Sequence, residues 1–264
     1  MDSLLLDLGM RNLLGRKAMR NIEGKTAVVT GGSRGIGAAV AERLAAGGAN
    51  VVVTYQSNTE AASAVVEACR AHSVGASAIR ADAGSVADGR KVVASAKEQF
   101  GGLDILVNNA AVLTATDLKA ITEEDFDRNI DVNLKGLFFL TQVAAAQMPS
   151  GGRIVNIGSI FGESVPYPGL DLYSMTKFGV AGLTRAWARD LAADGITVNC
   201  IQPGPINTDM NPEDGALAEA MVPRSPIGRY GRPSEIAEMV AFLCGPNTDN
   251  ITSAMLNNDG GWNA

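Results

Sequence analysis

The feature that most constrains the fold is a regular alternation of short apolar runs with longer helical segments. Short apolar runs are typical of strands buried on both faces, and their alternation with helices indicates β-α-β crossovers. We therefore predict an α/β fold with a parallel sheet. The apolar runs lie at 26–29, 51–53, 76–80, 105–107, 154–157, 196–201 and 254–256. Helices are predicted over 38–46, 59–72, 86–100, 122–148, 173–193 and 233–243.

Composition and charge restrict the class of protein. The 264 residues are 46% hydrophobic and 19% charged, which is typical of a globular domain with a full core. The net charge of −6 disfavours non-specific binding to nucleic acid or to anionic membranes. Cys69, Cys200 and Cys244 are far apart and form no ligand-like pair, so we predict no metal site and a cytoplasmic location. The expected partner is a small-molecule substrate, with neither nucleic acid nor membrane.

The first 22 residues differ from the rest of the chain. Their short leucine runs are preceded by acids and followed by basic residues, which is not the pattern of a secretory signal. We expect residues 1–22 to form a mobile N-terminal extension, with an arm that packs on a partner subunit as the alternative. Residues 23–264 are predicted to form a single domain. Its segment at about 206–227, rich in proline and glycine, is the predicted substrate loop.

A glycine-rich turn at 30–37 follows the first predicted strand. Gly31, Gly35 and Gly37 would let the backbone approach a pyrophosphate, whose charge would lie at the N-terminus of the next helix. The spacing G-x-x-x-G-x-G differs from the G-x-G-x-x-G fingerprint, so the turn by itself also fits an ordinary tight turn. Its position after the first strand of an α/β chain favours a nucleotide cofactor.

The end of the second strand predicts which cofactor binds. An Asp or Glu there would bond the ribose 2′-hydroxyl of NAD, but the sequence is Thr54-Tyr55-Gln56-Ser57-Asn58, without an acid. Arg34 in the glycine turn can reach a 2′-phosphate. Like charges about 4 Å apart repel by about 4 kcal/mol at an effective dielectric near 20, so the missing acid matters as much as the arginine. We predict NADP in preference to NAD.

Three further residues suggest proton chemistry over this cofactor. Tyr173 and Lys177 lie four residues apart on a predicted helix and therefore on one face, one turn from each other. Such a pair is by itself commonly a solvated surface pair. Ser159, however, closes an apolar strand fourteen residues earlier. With the glycine turn, these residues indicate a proton donor held beside a nucleotide cofactor. His72, the single histidine, is not expected to take part.

These motifs together resemble the short-chain dehydrogenase/reductase family, from about Gly24 to Ala264. The shared motifs are T-G-x-x-x-G-I-G at 30–37, N-N-A at 108–110, a helix asparagine at 133, the serine at 159, Y-x-x-x-K at 173–177 and P-G at 203–204. Ala111 stands where the family usually has glycine. The resemblance implies a single Rossmann-type, doubly wound domain with seven parallel strands in the order 3-2-1-4-5-6-7. It also implies a homotetramer, built by pairing of long helices and by the region around Trp262.

The resemblance also implies roles for individual residues. Tyr173 would act as general acid and Ser159 would orient the substrate carbonyl, while Lys177 would bond the nicotinamide ribose. Asn133 would hold a water that passes protons to Lys177, and Asp82 would lie near the adenine. The predicted cofactor-binding residues are Gly31, Ser33, Arg34, Gly35, Ile36, Gly37, Tyr55, Ser57, Asn58, Asp82, Ala83, Asn108, Ala110, Tyr173, Lys177, Pro203, Gly204, Ile206 and Thr208.

The function predicted from these features is an NADP-dependent interconversion of a ketone or aldehyde with the corresponding alcohol. Two alternatives stay open: a 3-oxoacyl-thioester (acyl-carrier-protein) reductase, and a nucleotide-binding sensor without turnover. Residues 160–172 and 206–227 are expected to form the walls of the substrate pocket. Within them Phe161, Val165, Tyr167 and Met210 indicate either an apolar site or ordinary loop packing.

Overall fold

The architecture is a parallel sheet with helices on both faces. The computed structural model describes residues 21–215 and 217–264. Within that part of the chain, seven strands pair in the order β3-β2-β1-β4-β5-β6-β7, which confirms the predicted fold class. The strands are β1 (Thr26–Val29), β2 (Asn50–Tyr55), β3 (Ala76–Arg80), β4 (Ile105–Asn108), β5 (Arg153–Ile157), β6 (Thr197–Pro203) and β7 (Met255–Asn258).

The helices follow the strands in the alternation that the sequence predicts. They are α1 (Gly35–Ala46), α2 (Thr59–Arg70), α3 (Val86–Phe100), α4 (Glu123–Ile130), α5 (Leu137–Ala145), α6 (Asp171–Asp190), α7 (Ala218–Met221) and α8 (Pro233–Cys244). Among the described residues, no helix is long and apolar enough to cross a membrane.

Each strand has apolar side chains on both faces because helices cover both sides of the sheet. In β1, Val29 packs in the core on the side of α1, α2 and α8, whereas Val28 packs on the side of α3, α5 and α6. Val53 and Val52 in β2 divide in the same way. Adjacent residues of a strand face opposite sides, so a continuous apolar run forms two separate cores.

The predicted single helix over 122–148 is wrong, because a π-helical segment, Asp131–Gly136, separates α4 from α5. The beginning of α4 is as expected, since Thr122 and Asp125 form a reciprocal capping box there. At the end of the π segment, Gly136 packs so closely on the carbonyl oxygen of Ala83 that a side chain would collide with it. The wider π turn thus brings the helix backbone against the loop after β3.

The N-terminal boundary can be compared with the sequence prediction only in part. Residues 1–20 of the extension predicted over 1–22 lie outside the described residues. Ile22 itself is buried in the core beside α1, and its N–H donates to the carbonyl of Gly47 at 3.2 Å. The folded domain therefore includes at least this residue before the predicted start at 23.

The contact at Gly136 generates a stability prediction. We expect Gly136→Ala to lower the free energy of unfolding by about 3 kcal/mol or more, because the added methyl group overlaps the Ala83 carbonyl oxygen. Thermal unfolding followed by circular dichroism measures this. Gly89→Ala on α3 is the matched control, since its methyl group would meet only Leu140 at an ordinary 3.6 Å. A Gly136→Ala melting temperature equal to that of wild type would contradict the assigned packing.

Candidate active site

A cleft of about 630 Å³ opens at the carboxyl edge of the sheet. β1 and β4 are neighbours there, and the helices that follow them pack on opposite faces. Such a switch point is where open α/β sheets bind ligands. Most of the predicted site residues line this cleft: Gly31, Ser33, Arg34, Gly35, Ile36, Gly37, Tyr55, Ser57, Asn58, Ala83, Ala110, Ser159, Tyr173, Lys177, Pro203, Gly204, Ile206 and Thr208. Three do not: Asp82, Asn108 and Asn133.

The glycine turn is shaped by close backbone contacts. Gly31 has a positive φ of 62°, and its N–H donates to Thr54 Oγ1 at 3.1 Å. A side chain at Gly37 would collide with the carbonyl oxygen of Gly31 and lie 2.6 Å from Asn109 Nδ2. That Asn109 amide donates to the carbonyls of Thr30 and Gly31 at 2.8 and 3.1 Å. The turn therefore needs glycine at 37, and Asn109 fixes its shape from β4.

The N-terminus of α1 fits a phosphate group. Helices α2, α3 and α4 each begin with a side-chain cap, from Asn58, Ser85 and Thr122, and carry an acid in the first turn. α1 has neither: Arg34 precedes it without a side-chain cap, and its first turn contains no acid. Its N–H groups and the positive end of its dipole therefore face the cleft without a competing carboxylate.

The cleft near the end of β2 carries positive charge. The Arg34 side chain is 64% exposed and lies 3.6 Å from Asp209 Oδ2. Arg128 on α4 also lines the cleft, and its Nη1 donates to both oxygens of Asp82 at 3.1 Å. Asp82 is thus held by Arg128 outside the cleft, while its neighbour Ala83 lines the wall.

Asn108 does not line the cleft, and its side chain instead forms hydrogen bonds within the protein. It is buried at the end of β4, and its amide donates to Thr141 Oγ1 and Asn156 Oδ1 at 2.9 and 2.8 Å. These bonds join β4 to α5 and β5. The next residues, Asn109 and Ala110, line the cleft. The part of the N-N-A motif that faces the cleft is therefore its second and third residues.

Tyr173 and Lys177 lie one turn apart on α6 and face the cleft, as the spacing predicts. Lys177 is only 4% exposed, and its Nζ donates to the carbonyl of Ile157 at 2.8 Å. Nζ lies 5.4 Å from the centroid of the Tyr173 ring. Across residues 21–215 and 217–264, no acidic side chain forms an ion pair with Lys177. The cleft therefore contains an unpaired, largely desolvated positive charge beside a phenol.

Ser159 follows β5 directly and lines the same part of the cleft. Its Oγ accepts from the N–H of Phe161 at 3.2 Å, and its own N–H donates to Gln202 Oε1 at 3.4 Å. Cys200 lies behind this turn, where burial raises the pKa of its thiol from 9.0 to about 11. Cys200 is consequently protonated near neutral pH and is unsuited to act as a nucleophile.

Asn133 joins three elements behind the cleft. Its Oδ1 accepts from the N–H of Val112 at 2.9 Å. Its Nδ2 donates to the carbonyl of Val112 at 2.9 Å and to Thr176 Oγ1 at 3.1 Å. Both amide hydrogens are therefore used within the protein. Because Thr176 adjoins Lys177, Asn133 connects the π segment, the loop after β4 and the helix that carries Tyr173.

The distal end of the cleft is apolar. Phe161 and Met210 line it as predicted, but Val165 and Tyr167 do not. Tyr167 instead packs against Trp262, with 6.3 Å between ring centroids. Ile160, Leu217 and Met221, which lie within the predicted walls at 160–172 and 206–227, complete this apolar wall.

Arg128 and Gln202 were not predicted from the sequence, and Asp209 was indicated only as part of the predicted wall at 206–227. Asp209 adjoins the predicted Thr208, so its proximity could have been inferred from the sequence. Gln202 is a polar residue in a buried strand, directly before the P-G motif. Because buried polar side chains need hydrogen-bond partners, its position in the sequence indicates such a partner near the cleft. Nothing in the local pattern around Arg128 indicates that it reaches the cleft from α4. Among the described residues, no cluster of three or more His, Cys, Asp or Glu could hold a metal ion.

The chain is similar to several known proteins over most of its length. A family profile described as enoyl-(acyl carrier protein) reductase matches residues 31–263. A 3-oxoacyl-[acyl-carrier-protein] reductase of Staphylococcus aureus is 44% identical over 243 residues, which are 90% of this chain and 97% of that protein. A cyclic-di-GMP-binding biofilm dispersal mediator protein of Escherichia coli K12 is 39% identical, covering 91% and 98%.

A solved structure agrees with these sequence similarities. The short chain dehydrogenase from Burkholderia cenocepacia J2315, in complex with NADP, matches with a TM-score of 0.91 and 46% identity over 92% of this chain and 100% of that chain. The fold and the cleft define a doubly wound α/β protein with its ligand site at the switch point of the sheet. The chain belongs to the short-chain dehydrogenase/reductase family, which confirms the resemblance inferred from its motifs.

The position of Asn133 generates a testable prediction. We expect Asn133→Ala to lower the free energy of unfolding by about 2–4 kcal/mol, because buried partners at Val112 and Thr176 lose their hydrogen bonds. Amide exchange measured by mass spectrometry should become faster in the segment 110–114. Asn250→Ala, at an exposed position, is the control and should change neither quantity. Unchanged exchange at 110–114 in Asn133→Ala would contradict this role.

Proposed function

We propose that this protein is an NADP-dependent oxidoreductase that interconverts a ketone or aldehyde with its alcohol. The observation that carries the proposal is the convergence of Ser159, Tyr173 and Lys177 on one cleft, next to an α1 N-terminus that lacks its own cap. A nucleotide cofactor bound along the glycine turn would supply or accept the hydride, while the protein would supply placement and proton transfer.

Each of the three residues has a role that its surroundings support. Tyr173 would donate a proton to the carbonyl oxygen during reduction and take it back during oxidation. Lys177, whose Nζ lies 5.4 Å from the Tyr173 ring centroid, would place its positive charge beside the phenol during proton transfer and would also attract a ribose hydroxyl. Ser159 Oγ would donate a hydrogen bond to the same carbonyl oxygen and stabilise the charge that develops there.

The charges near β2 support NADP over NAD. No acid follows β2 at the position that would bond a ribose 2′-hydroxyl, and Arg34 is free enough in solvent to turn towards a 2′-phosphate. The B. cenocepacia relative is itself described in complex with NADP. Asp209 beside Arg34 would oppose the phosphate, so this residue would tune the affinity.

The lining of the distal cleft supports an uncharged, apolar carbonyl substrate. Ile160, Phe161, Met210, Leu217 and Met221 are among the residues that line the cleft. An apolar ketone would bury its surface on these side chains.

Two other functions have specific support. A 3-oxoacyl-thioester reductase is favoured by the S. aureus relative, whose name states that activity. A nucleotide sensor is favoured by the E. coli relative, which is named for binding cyclic-di-GMP. The presence of Ser159, Tyr173 and Lys177 in one cleft supports turnover over sensing, because ligand binding alone does not require all three.

Assembly and location are further parts of the proposal. A homotetramer is supported by apolar side chains that α4, α5 and α6 leave exposed, namely Phe126, Phe138, Met175 and Phe178. Trp262, predicted to lie at an interface, is buried against Tyr167 within the chain, so the long-helix face is the better supported contact. We propose a single domain that includes the buried Ile22, preceded by an N-terminal extension, and a cytoplasmic location.

The central test is Tyr173→Phe. We expect kcat to fall by about 10²–10⁴-fold, because the variant lacks the transferable proton, while the Kd for NADPH stays within a few-fold of wild type. Loss of NADPH absorbance at 340 nm is followed with ketones, diketones, quinones and an acetoacetyl thioester. Tyr167→Phe is the matched control, since that ring does not line the cleft.

The outcomes of the panel separate the three functions. Turnover of simple ketones or quinones supports the proposed activity, and turnover confined to the thioester supports the acyl-carrier-protein alternative. Cofactor binding by wild type without turnover of any compound would overturn the proposed reductase activity. Retention of wild-type turnover by Tyr173→Phe would overturn the proposed proton donor.

The cofactor preference is tested by two substitutions that should change the KM for NADPH in opposite directions. Arg34→Ala should raise the KM for NADPH by about tenfold, because a charge-assisted hydrogen bond is lost, and leave the KM for NADH nearly unchanged. Asp209→Asn should lower the KM for NADPH by about two- to fivefold, a small effect because both partners are exposed. A wild-type KM lower for NADH, with Arg34→Ala changing neither value, would show that NADP preference is wrong.

A further inference from the structure

We propose that Glu163, acting through Gln202, is a positioning residue that holds Ser159 in its orientation towards the cleft. The inference rests on the proposed function, because Ser159 is there the residue that binds the substrate carbonyl. Glu163 lies outside the cleft, directly after the short 3₁₀ turn Ile160–Gly162 that follows Ser159.

Gln202 is the link between Glu163 and Ser159. It lies on β6, has no exposed surface, and its Oε1 accepts the N–H of Ser159 at 3.4 Å. A methyl group at Gly158 or Gly162 would lie 2.9 or 3.0 Å from that same oxygen. The glycines on both sides of Ser159 thus allow the Gln202 amide to pack against the backbone of the turn.

The orientation of the Gln202 amide depends on Glu163. Gln202 Nε2 donates to Glu163 Oε1 at 2.7 Å, a short charge-assisted bond. A carboxylate only accepts hydrogen bonds, so it selects the orientation in which Nε2 points to Glu163. Oε1 must then point towards Ser159. The reversed amide would place one donor against the Ser159 N–H and leave the carboxylate facing an oxygen.

The C-terminal segment fixes Glu163 in turn. Its Oε2 accepts from Asn257 Nδ2 at 3.0 Å and from Asn263 Nδ2 at 3.1 Å. Asn257 on β7 is the direct neighbour of Gln202 on β6, so both amides point to the same face of the sheet. Three amide donors therefore hold one carboxylate, without a basic residue among these partners.

Two hydrogen bonds to β6, from the N–H groups of Gly158 and Ser159, fix the turn that carries Ser159. The N–H of Gly158 donates to the carbonyl of Ile201 at 2.8 Å, which continues the pairing of β5 with β6. The N–H of the next residue, Ser159, donates to the side-chain oxygen Gln202 Oε1 at 3.4 Å. Loss of the correct amide orientation would let the turn relax and would misplace Oγ, while the cofactor end of the cleft stays intact.

The test compares Glu163→Ala, Glu163→Gln, Gln202→Met and the double variant Glu163→Ala/Gln202→Met. Glu163→Ala should lower kcat by about tenfold, equivalent to one misplaced hydrogen bond, with the KM for NADPH within twofold of wild type. Glu163→Gln, which keeps an acceptor oxygen, should restore most of kcat. In the double variant kcat should equal that of Gln202→Met, because both substitutions interrupt the same connection.

A second measurement is independent of turnover. Amide exchange of the peptide covering 158–163, measured by mass spectrometry, should be faster in Glu163→Ala and Gln202→Met than in wild type. Glu67→Ala, which removes a surface carboxylate paired with Arg70, is the control and should change neither kcat nor exchange at 158–163. Melting temperatures identify any variant whose fold is lost.

The outcomes distinguish this proposal from the proposed function. If wild type turns over no carbonyl compound, the proposed function fails, but exchange at 158–163 still decides whether Glu163 orders the turn. The positioning role is overturned if Glu163→Ala leaves both kcat and exchange unchanged. It is also overturned if the losses of the two single variants multiply in the double variant, or if Glu163→Gln is as impaired as Glu163→Ala.

Discussion

The junction between Thr30 and Asn109 is the interaction on which the cleft depends. Thr30 Oγ1 accepts the N–H groups of Asn109 and Ala110 at 2.9 and 3.0 Å, and Asn109 Nδ2 returns a bond to the Thr30 carbonyl at 2.8 Å. These bonds join the ends of β1 and β4, from which the chain continues to opposite faces of the sheet. The glycine turn and the loop after β4 can therefore diverge and leave a cleft between them.

The apolar runs and the glycine turn predicted a parallel sheet with a ligand site because both depend on local patterns, whereas the strand order was inferred from the resemblance to the family. Strands buried on both faces require continuous apolar runs, and a turn with positive φ, as at Gly31, requires glycine. The π segment could not be predicted in this way. Its residues Asn133 and Gly136 contact Val112 and Ala83, which are far away in the sequence, so a local pattern does not reveal these contacts.

The same distinction applies to two predicted site residues that do not line the cleft. Asp82 and Asn108 follow or end strands at the correct edge of the sheet, so their positions along the chain suggested ligand contacts. The Asp82 carboxylate instead accepts from Arg128, and the Asn108 amide nitrogen donates to Thr141 and Asn156; these partners lie 33 to 48 residues away in the sequence. Position on a strand predicts which edge a residue occupies, whereas the partner that a polar group takes depends on tertiary packing.

Lys177 is a buried basic residue that forms no ion pair with the acidic side chains of the described residues. Removing a lysine from water is costly unless a partner compensates it, and in the described part of the chain its hydrogen-bond partner is the neutral carbonyl of Ile157. Because Ile157 ends β5, the strand that leads to Ser159 also fixes this cation beside Tyr173. An acid placed next to Lys177 would stabilise this charge but would also cancel its field in the cleft. The absence of such a partner within the described residues thus leaves the positive charge directed at the cleft, where the proposed proton transfer would use it.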